Sequence, residues 1–239
     1  MVRPEHQALA ADRCTPPRLE ARGVTRVLYD PLPVVLVQDV DFEVAPGEFV
    51  AITGPSGSGK SSLLYLLGLL DRPSEGEIYL EGQATRELDD RTCARLRLEK
   101  LGFIFQFHFL LQEFDVLNNI MLPMRKLGRM PSEDIRARAE HLLTELGLAS
   151  ELRKTPDQLS GGQRQRVAVA RALANDPTVI LADEPTGNLD TKNAALVFDL
   201  LRELAQSQDR SVVAVTHDAN LAANADRRVV IVDGRIAEE

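Results

Sequence analysis

A short glycine-rich stretch of the chain contains the residue types that bind phosphate groups. It reads Gly54-Pro55-Ser56-Gly57-Ser58-Gly59-Lys60-Ser61 and fits the pattern G-x-x-x-x-G-K-[ST]. Because glycines have no Cβ, the backbone N–H groups around them can turn toward an anion. Lys60 can reach the β- and γ-phosphates of a nucleotide, and the hydroxyl of Ser61 can take one position on Mg²⁺. We therefore predict that these eight residues and Ser62 bind a nucleotide, with magnesium at Ser61.

The residues on both sides of this stretch predict the elements that hold a phosphate-binding loop (P-loop). Residues 48–53 are typical of a short buried strand, and residues 62–67 begin an apolar helix. Such a helix presents unpaired N–H groups and the positive end of its dipole to the anion. The alternative is a glycine-rich turn that binds nothing. The flanking elements argue against it, because they are the ones that the motif requires.

Composition limits the classes of function. The chain has 239 residues, of which 28 are basic and 36 acidic, for a net charge of −8. This balance weighs against a dedicated nucleic-acid-binding protein. Cys14 and Cys93 lie far apart, so we predict neither a disulfide framework nor a zinc site, and we expect a reducing compartment. No apolar run approaches the roughly 20 residues of a membrane span, and the first residues lack the apolar core of a signal peptide. We expect a cytoplasmic protein whose membrane role, if it has one, depends on a partner.

Strand and helix patterns alternate on both sides of the P-loop. Strands are expected near residues 19–27, 34–44, 48–53, 77–80, 102–106, 178–182, 211–216 and 228–232. Helices are expected from residue 62, at 89–100, within 116–148, at 163–174 and 191–206, and briefly after 216. This alternation predicts an α/β fold with a mainly parallel, doubly covered sheet. We expect a poorly ordered tail at 1–17, a single domain at 18–239, and a helical insertion at about 107–165.

Two carboxylates follow the apolar run at residues 178–182. A carboxylate at the end of a buried strand is where a P-loop protein holds magnesium, often through water, so Asp183 is the candidate. Glu184 leaves the strand and could polarise a water that attacks the γ-phosphate. The alternative is that both residues simply end a strand at the surface, which the P-loop's need for an acidic partner disfavours.

A second Ser-Gly-Gly turn lies at Leu159-Ser160-Gly161-Gly162-Gln163 and leads directly into a predicted helix. It is physically a second phosphate cradle. One P-loop already surrounds the phosphates of one nucleotide. The second cradle therefore suggests that this turn binds the nucleotide held by another copy of the chain. A glycine turn that only caps a helix is the alternative.

Together these motifs resemble those of the ABC ATPases. The sequence contains, in order, Walker A at residues 54–61, LSGGQ at 159–163 and ILADEP at 180–185. A D-loop-like segment follows at 187–190 and a switch-histidine segment at 215–218. The resemblance covers about residues 18–237. It implies a P-loop NTPase core with an antiparallel β subdomain and an inserted helical subdomain. It also implies that two subunits clamp two ATP molecules head to tail, each between one P-loop and the partner's LSGGQ.

The resemblance implies roles for individual residues. Gln106, as the Q-loop glutamine, would contact magnesium and the attacking water, and its loop would sense a transmembrane partner. His217 would contact the γ-phosphate. Lys60 and Glu184 complete the catalytic set, and Ser61, Gln106 and Asp183 the magnesium set. The residues expected at the partner's phosphates or the dimer seam are Ser160, Gly161, Gly162, Gln163 and Asp190. Tyr29 is the candidate for stacking on adenine, although the hydrophobic pattern also allows Leu28.

Residues 102–111 and 181–190, with Asn119 and Leu122-Pro123, are similar to the lipoprotein-release ATPases of LolD type, within the wider MacB-like exporter group. This implies a permease with a large extracytoplasmic domain and a peripheral location on the cytoplasmic face of the inner membrane. Gln112 replaces a common proline in the loop expected to face the permease, which puts the exact partner in doubt. The aromatic residues within 107–114, which no predicted strand would bury, are a candidate partner surface. A soluble ABC ATPase and a nucleotide-gated scaffold of a cell-division type complex remain alternatives.

Overall fold

The computed structural model describes residues 16–29 and 31–238. The strands are β1 (Leu19–Tyr29), β2 (Pro33–Val44), β3 (Phe49–Thr53), β4 (Glu75–Leu80), β5 (Gln83–Ala84), β6 (Leu101–Phe105), β7 (Val179–Asp183), β8 (Ser211–Val215), β9 (Arg227–Val232) and β10 (Arg235–Glu238). The helices are α1 (Lys60–Leu67), α2 (Asp90–Lys100), α3 (Val116–Leu127), α4 (Ser132–Glu145), α5 (Gly161–Leu173), α6 (Thr191–Gln208) and α7 (Ala219–Ala223). A short 3-10 helix covers Pro156–Gln158.

The central sheet has the strand order β10-β9-β3-β8-β7-β6. All its neighbouring strands pair in parallel except β10, which runs antiparallel to β9. Every residue of β8 is buried, as are the first four of β3 and of β7. Such continuous apolar burial is typical of parallel strands covered on both faces. The prediction of an α/β fold with a mainly parallel, doubly covered sheet is confirmed.

Successive residues of the central strands contribute to two separate hydrophobic clusters. Val212 and Ala214 of β8 join a cluster built mainly from α3, α4, α5 and α6. Val213 and Val215 face the other way and join α1 and the second sheet. That second sheet is antiparallel, with the order β2-β1-β4-β5. The β3–α1 connection therefore lies on the face covered by the antiparallel sheet.

Three helices follow one another between β6 and β7. Asp115 caps α3 by accepting a hydrogen bond from the Asn118 N–H, and Gly128 in a left-handed conformation ends it. The helix α4 starts after Pro131, so the expected helical stretch divides here. This arrangement agrees with a helical segment before the LSGGQ turn at residues 159–163, which we call the signature turn. The exact bounds of the insertion and of the domain remain predictions.

Some features lie outside the sequence-based expectations. The short strands β5 and β10 were not expected. The alternation of Phe103 and Phe105 predicts that both lie in the sheet core, and in the structure both are half-buried. The expected tail at 1–17 lies almost wholly outside the described residues. Within residues 16–29 and 31–238, no helix combines the length and apolarity that crossing a bilayer requires.

Candidate functional site

The carboxyl ends of four parallel strands bring the predicted residues to one edge of the central sheet. The P-loop follows β3, Gln106 follows β6, and Asp183 is the last residue of β7. His217 lies two residues beyond the end of β8. In open parallel sheets, ligands bind at this edge. The fold therefore assembles segments that are separated by more than a hundred residues in the chain.

The glycines of the P-loop are required by close backbone contacts. A Cβ on Gly54 would lie 2.0 Å from the carbonyl oxygen of Ile231 in β9. A Cβ on Gly59 would lie 2.2 Å from the carbonyl oxygen of Leu36 in β2. Both glycines also have positive φ angles, of 143° and 100°, that other residues rarely adopt. The loop thus has its shape because neighbouring strands on both sheets pack directly against its backbone.

The amino terminus of α1 is left open for an anion. Gly59 is its N-cap, so no side chain accepts a hydrogen bond from the first turn, and that turn contains no acidic residue. The Ser58 hydroxyl oxygen beside it is buried without a hydrogen-bond partner. Unpaired N–H groups at a helix start are the donors that bind phosphate. These donors fit a nucleotide phosphate at this position.

The Lys60 ammonium group lies inside the loop. Its Nζ donates to the carbonyl oxygens of Gly54, at 3.0 Å, and Pro55, at 2.7 Å. An ammonium group has three donors, so one remains for a phosphate oxygen.

The Asp183 carboxylate is held by two hydroxyl groups of α1. Ser61 Oγ donates to Oδ1 at 2.9 Å, and Tyr65 Oη donates to Oδ2 at 3.0 Å. Within the described ranges, no group of three or more His, Cys, Asp or Glu residues could hold a metal ion. Magnesium usually binds through one or two protein oxygens while keeping several waters and substrate phosphates. Ser61 and Asp183 therefore fit the ion.

Tyr65 was not among the predicted site residues. Its position, four residues after Ser61 on the same helix face, was the only signal in the sequence. Burial, together with the neighbouring Asp183 carboxylate, raises the pKa of Tyr65 above its ordinary value.

Glu184 and His217 lie together beside this magnesium candidate. The Glu184 Oε2 atom lies 2.8 Å from His217 Nδ1 and accepts a weaker hydrogen bond from the His217 backbone N–H at 3.4 Å. The Glu184 N–H donates to the Val215 carbonyl oxygen, and the φ angle of Glu184 is 47°. A non-glycine residue in this conformation is often held there for function. The Glu184 carboxylate therefore has the His217 imidazole as a direct neighbour.

Gln106 contacts the D-loop-like segment instead of the magnesium candidates. Its Nε2 donates to Asn188 Oδ1 at 3.4 Å, and Asn188 Nδ2 donates to the Gln106 carbonyl oxygen at 3.2 Å. The structure therefore joins Gln106 to residues 187–190 but not to Ser61 or Asp183. Its role as a magnesium ligand remains a prediction.

The signature turn lies at the start of α5. The Ser160 Oγ accepts from the Gln163 N–H at 3.3 Å, and Gln163 Oε1 accepts from the Ser160 N–H at 2.9 Å. Ser160 and Gly161 are exposed, whereas Gly162 is buried. The turn therefore presents an open face to solvent and keeps its own capping box.

Asn193 links the signature turn to the residue predicted at the dimer seam. A Cβ on Gly162 would lie 2.3 Å from Asn193 Oδ1. Asp190 caps α6 by accepting from the Asn193 N–H at 2.9 Å and from Asn193 Nδ2 at 2.7 Å. These hydrogen bonds lower the pKa of Asp190. Asn193 was not predicted, because its contact with Gly162 joins distant segments.

The adenine candidates lie at the end of β1. Tyr29 is 75% exposed and Leu28 is 44% exposed. Both are available at the surface, and the choice between them remains open.

Comparisons with known proteins agree with this geometry. A family model described as "ABC transporter" matches residues 37–187. The chain belongs to the ABC transporter family. It is 51% identical to the lipoprotein-releasing system ATP-binding protein LolD of Maricaulis maris, over 86% of this chain and 88% of that one. It is 47% identical to the LolD protein of Anaeromyxobacter dehalogenans, over 96% of each chain.

A solved structure extends the likeness to the fold and to nucleotide chemistry. The ATP-binding cassette MJ0796, determined as a dimer in a post-hydrolysis state with ADP and Pi, superimposes with a TM-score of 0.86. It is 40% identical to this chain, with 92% of this chain and 97% of that one covered. The fold is that of an ABC ATPase, and this chain is an ATP-hydrolysing subunit of LolD type.

Proposed function

We propose that this ABC ATPase powers a membrane complex that releases lipoproteins, and that it works as a head-to-tail homodimer. The observation that carries the proposal is the pair of unlike phosphate cradles at α1 and α5. The α1 cradle has an ammonium group, unpaired N–H donors and a magnesium candidate beside it. The α5 cradle instead has its own capping box and an exposed Ser160-Gly161 face. A second copy that supplies α5 would complete the α1 site.

Each residue then has a role in ATP hydrolysis. Lys60, the loop N–H groups and Ser62 hold the phosphates of one nucleotide, with Tyr29 or Leu28 against adenine. Ser61, Asp183 and Gln106 hold magnesium, which shields phosphate charge when bound. Glu184 accepts a proton from the attacking water, and His217 orients the Glu184 carboxylate and contacts the γ-phosphate. The residues of the partner subunit's cradle and the seam are Ser160, Gly161, Gly162, Gln163 and Asp190.

An apolar surface formed by the β6–α3 loop and by α3 itself supports a protein partner on the same subunit. Its exposed side chains are Phe107, Phe109, Leu111, Phe114 and Leu122. Exposed aromatic groups of this kind mark protein contacts more often than free surface. We propose that this surface receives a permease with a large extracytoplasmic domain, which places the ATPase on the cytoplasmic face of the inner membrane. The names of the LolD relatives support lipoproteins as the cargo.

The residue Arg171 of α5 holds this apolar surface in place. Its guanidinium group donates to the carbonyl oxygens of His108, at 2.7 Å, and Phe109, at 2.6 Å. Because α5 also begins with the signature turn, movement of that turn would shift the permease-facing loop. This gives a physical route from ATP-driven dimer closure to the membrane partner.

The proposal is tested by trapping the closed dimer. Tagged Glu184→Gln protein is expected to bind ATP and dimerise but to lose turnover by about 10²- to 10⁴-fold, because the base is gone. Purified from detergent-solubilised native membranes with ATP and Mg²⁺, it should bring a stoichiometric permease with a large extracytoplasmic domain and bound lipoproteins, both identified by mass spectrometry.

A matched variant carries Glu184→Gln with Phe107→Asp and Leu111→Asp. It should keep ATP binding and dimerisation but lose the permease. Recovery of soluble partners alone would overturn the transporter assignment, and a cell-division complex without lipoproteins would favour the scaffold alternative. Turnover like that of the wild type would remove Glu184 as the base.

A further inference from the structure

We propose that Tyr65 positions the Asp183 carboxylate for magnesium, a role that rests on the proposed magnesium roles of Ser61 and Asp183. Tyr65 is not part of the P-loop motif, the signature turn or any other motif of the sequence. It lies in the second turn of α1, four residues after Ser61, so both side chains project from the same helix face.

The two hydroxyl groups bind the two different oxygens of one carboxylate. Ser61 Oγ contacts Oδ1 at 2.9 Å, and Tyr65 Oη contacts Oδ2 at 3.0 Å. The terminal torsion of an aspartate is broad, so one hydrogen bond leaves the plane of the carboxylate free to turn. A second bond to the other oxygen fixes that plane. The pair from α1 therefore sets the orientation of Asp183 before any ligand arrives.

This orientation matters because magnesium tolerates little distortion. The ion requires nearly octahedral geometry and usually keeps several of its waters. A carboxylate has about four lone-pair sites, of which Ser61 and Tyr65 use two. The remaining sites of Asp183 can receive magnesium or its waters in a direction set by the two hydroxyl groups. Partners that orient ligands in this way generally affect metal affinity.

Packing does not account for the choice of tyrosine at this position. Tyr65 is 38% exposed, whereas Leu63, Leu64, Leu66 and Leu67 on the other faces of α1 are fully buried. A helix position with so much exposure accepts many side chains. The contact that distinguishes Tyr65 is its hydroxyl group on Asp183. Removal of that group should therefore leave the fold intact.

The test replaces Tyr65 by phenylalanine and measures metal binding directly. Electron paramagnetic resonance of Mn²⁺, used in place of Mg²⁺, gives the metal affinity of the complex between protein and ADP. We expect Tyr65→Phe to weaken Mn²⁺ binding by about tenfold, the lower end for loss of a residue that orients a metal ligand. The affinity for ADP in EDTA should stay unchanged. The Mg²⁺ concentration for half-maximal ATPase activity should rise in parallel.

Two further variants separate the possible outcomes. Tyr79→Phe removes a tyrosine hydroxyl in the antiparallel sheet, where the ring lies 4.4 Å from the Arg22 guanidinium, and should leave Mn²⁺ affinity unchanged. Asp183→Asn should weaken Mn²⁺ binding more than Tyr65→Phe does. If Asp183→Asn weakens Mn²⁺ binding and Tyr65→Phe does not, only the role of Tyr65 is overturned.

If Asp183→Asn has no effect on Mn²⁺ affinity, the magnesium assignment fails, and the role of Tyr65 fails with it. A Tyr65→Phe protein that melts at a lower temperature but binds Mn²⁺ like the wild type would show a merely structural hydroxyl group, which also overturns the proposal.

Discussion

The helices α1 and α5 begin with two glycine-containing turns that resemble each other in sequence but differ in their hydrogen bonds. At α1 the N-cap is Gly59, and no side chain accepts from the first turn. At α5 the N-cap is Ser160, which forms a complete capping box with Gln163. The first turn therefore depends on a bound anion for the partners that the second turn already finds within the chain.

The surroundings of the two turns also differ, because the P-loop is enclosed and the signature turn is open at Gly161. The P-loop backbone is enclosed by β9 and β2, and Lys60 bonds to the loop itself. At the signature turn, a Cβ on Gly161 would meet nothing within 4 Å. These differences agree with the proposal that each nucleotide lies between the α1 turn of one copy and the α5 turn of another.

The largest expected effect is the recovery of ATP turnover when two inactive variants, one altered at each turn, are mixed. Lys60→Ala should lose ATP affinity and lower turnover by at least about 10²-fold. Gly161→Glu should keep ATP binding in the monomer but lose dimerisation and turnover, also by about 10²-fold, because a like charge facing phosphate costs several kcal/mol. In a head-to-tail dimer of one copy of each, one site combines two intact halves. A 1:1 mixture should thus regain up to roughly a quarter of wild-type turnover, since half the dimers are mixed and each has one of two sites.

Turnover and sedimentation measured on each protein alone and on the mixture provide the check. A mixture that stays as inactive as its components would contradict the sharing of sites. Lys154→Ala, which removes an exposed lysine paired with Glu151, is the charge-matched control and should hydrolyse ATP like the wild type.

A smaller effect distinguishes the two adjacent glycines of the signature turn. Gly162→Ala should be about 0.5–1 kcal/mol less stable to unfolding than Gly161→Ala, because its Cβ would overlap the Asn193 amide and turn that side chain away from Asp190. Gly161→Ala adds the same methyl group in open space and should leave the free energy of unfolding within about 0.5 kcal/mol of the wild type. Urea unfolding of the nucleotide-free proteins measures both. Equal stability of the two variants would show that the turn is not held by Asn193.

The parts of the site that consist of a few consecutive residues can be predicted from the sequence. The P-loop, the Asp183-Glu184 pair and the signature turn are each contained in a few consecutive residues. The first two lie at the same edge of the central sheet, whereas the signature turn lies at the start of α5. The contacts of Tyr65 with Asp183, of Asn188 with Gln106 and of Asn193 with Gly162 were missed, because each joins distant segments. They depend on how α1, β7 and α6 pack, which no short pattern shows.

The arginines after the signature turn show the same limit. Arg164, Arg166 and Arg171 would be read from sequence as the polar face of α5. In the structure, Arg164 donates to the carbonyl oxygen of Leu159 and Arg166 to that of Leu146. Arg171 donates to the carbonyl oxygens of His108 and Phe109. The polar pattern is correct for a helix, but its partners are backbone groups of neighbouring segments. Helical spacing cannot identify those partners, because they are brought there by the tertiary fold.

The smallest effect concerns the loop that α5 holds through Arg171. Burial lowers the pKa of His108, and the nearby Arg164 and Arg171 charges lower it further; its Nε2 is buried without a hydrogen-bond partner. Because its pKa is lower in the folded state, the unfolded chain takes up the proton first as pH falls. This contribution to stability is complete above the unfolded pKa of about 6.5 and is lost as pH falls through the folded pKa. His108→Gln should therefore reduce the difference in the free energy of unfolding between pH 7.5 and 5.5, by less than about 1 kcal/mol because the ring is partly solvated.

Urea unfolding at pH 7.5 and at pH 5.5 measures this difference. His141→Gln, at an exposed position of α4, should leave most of that difference in place, and an equal change in both variants would show that α5 does not enclose His108 as the structure indicates.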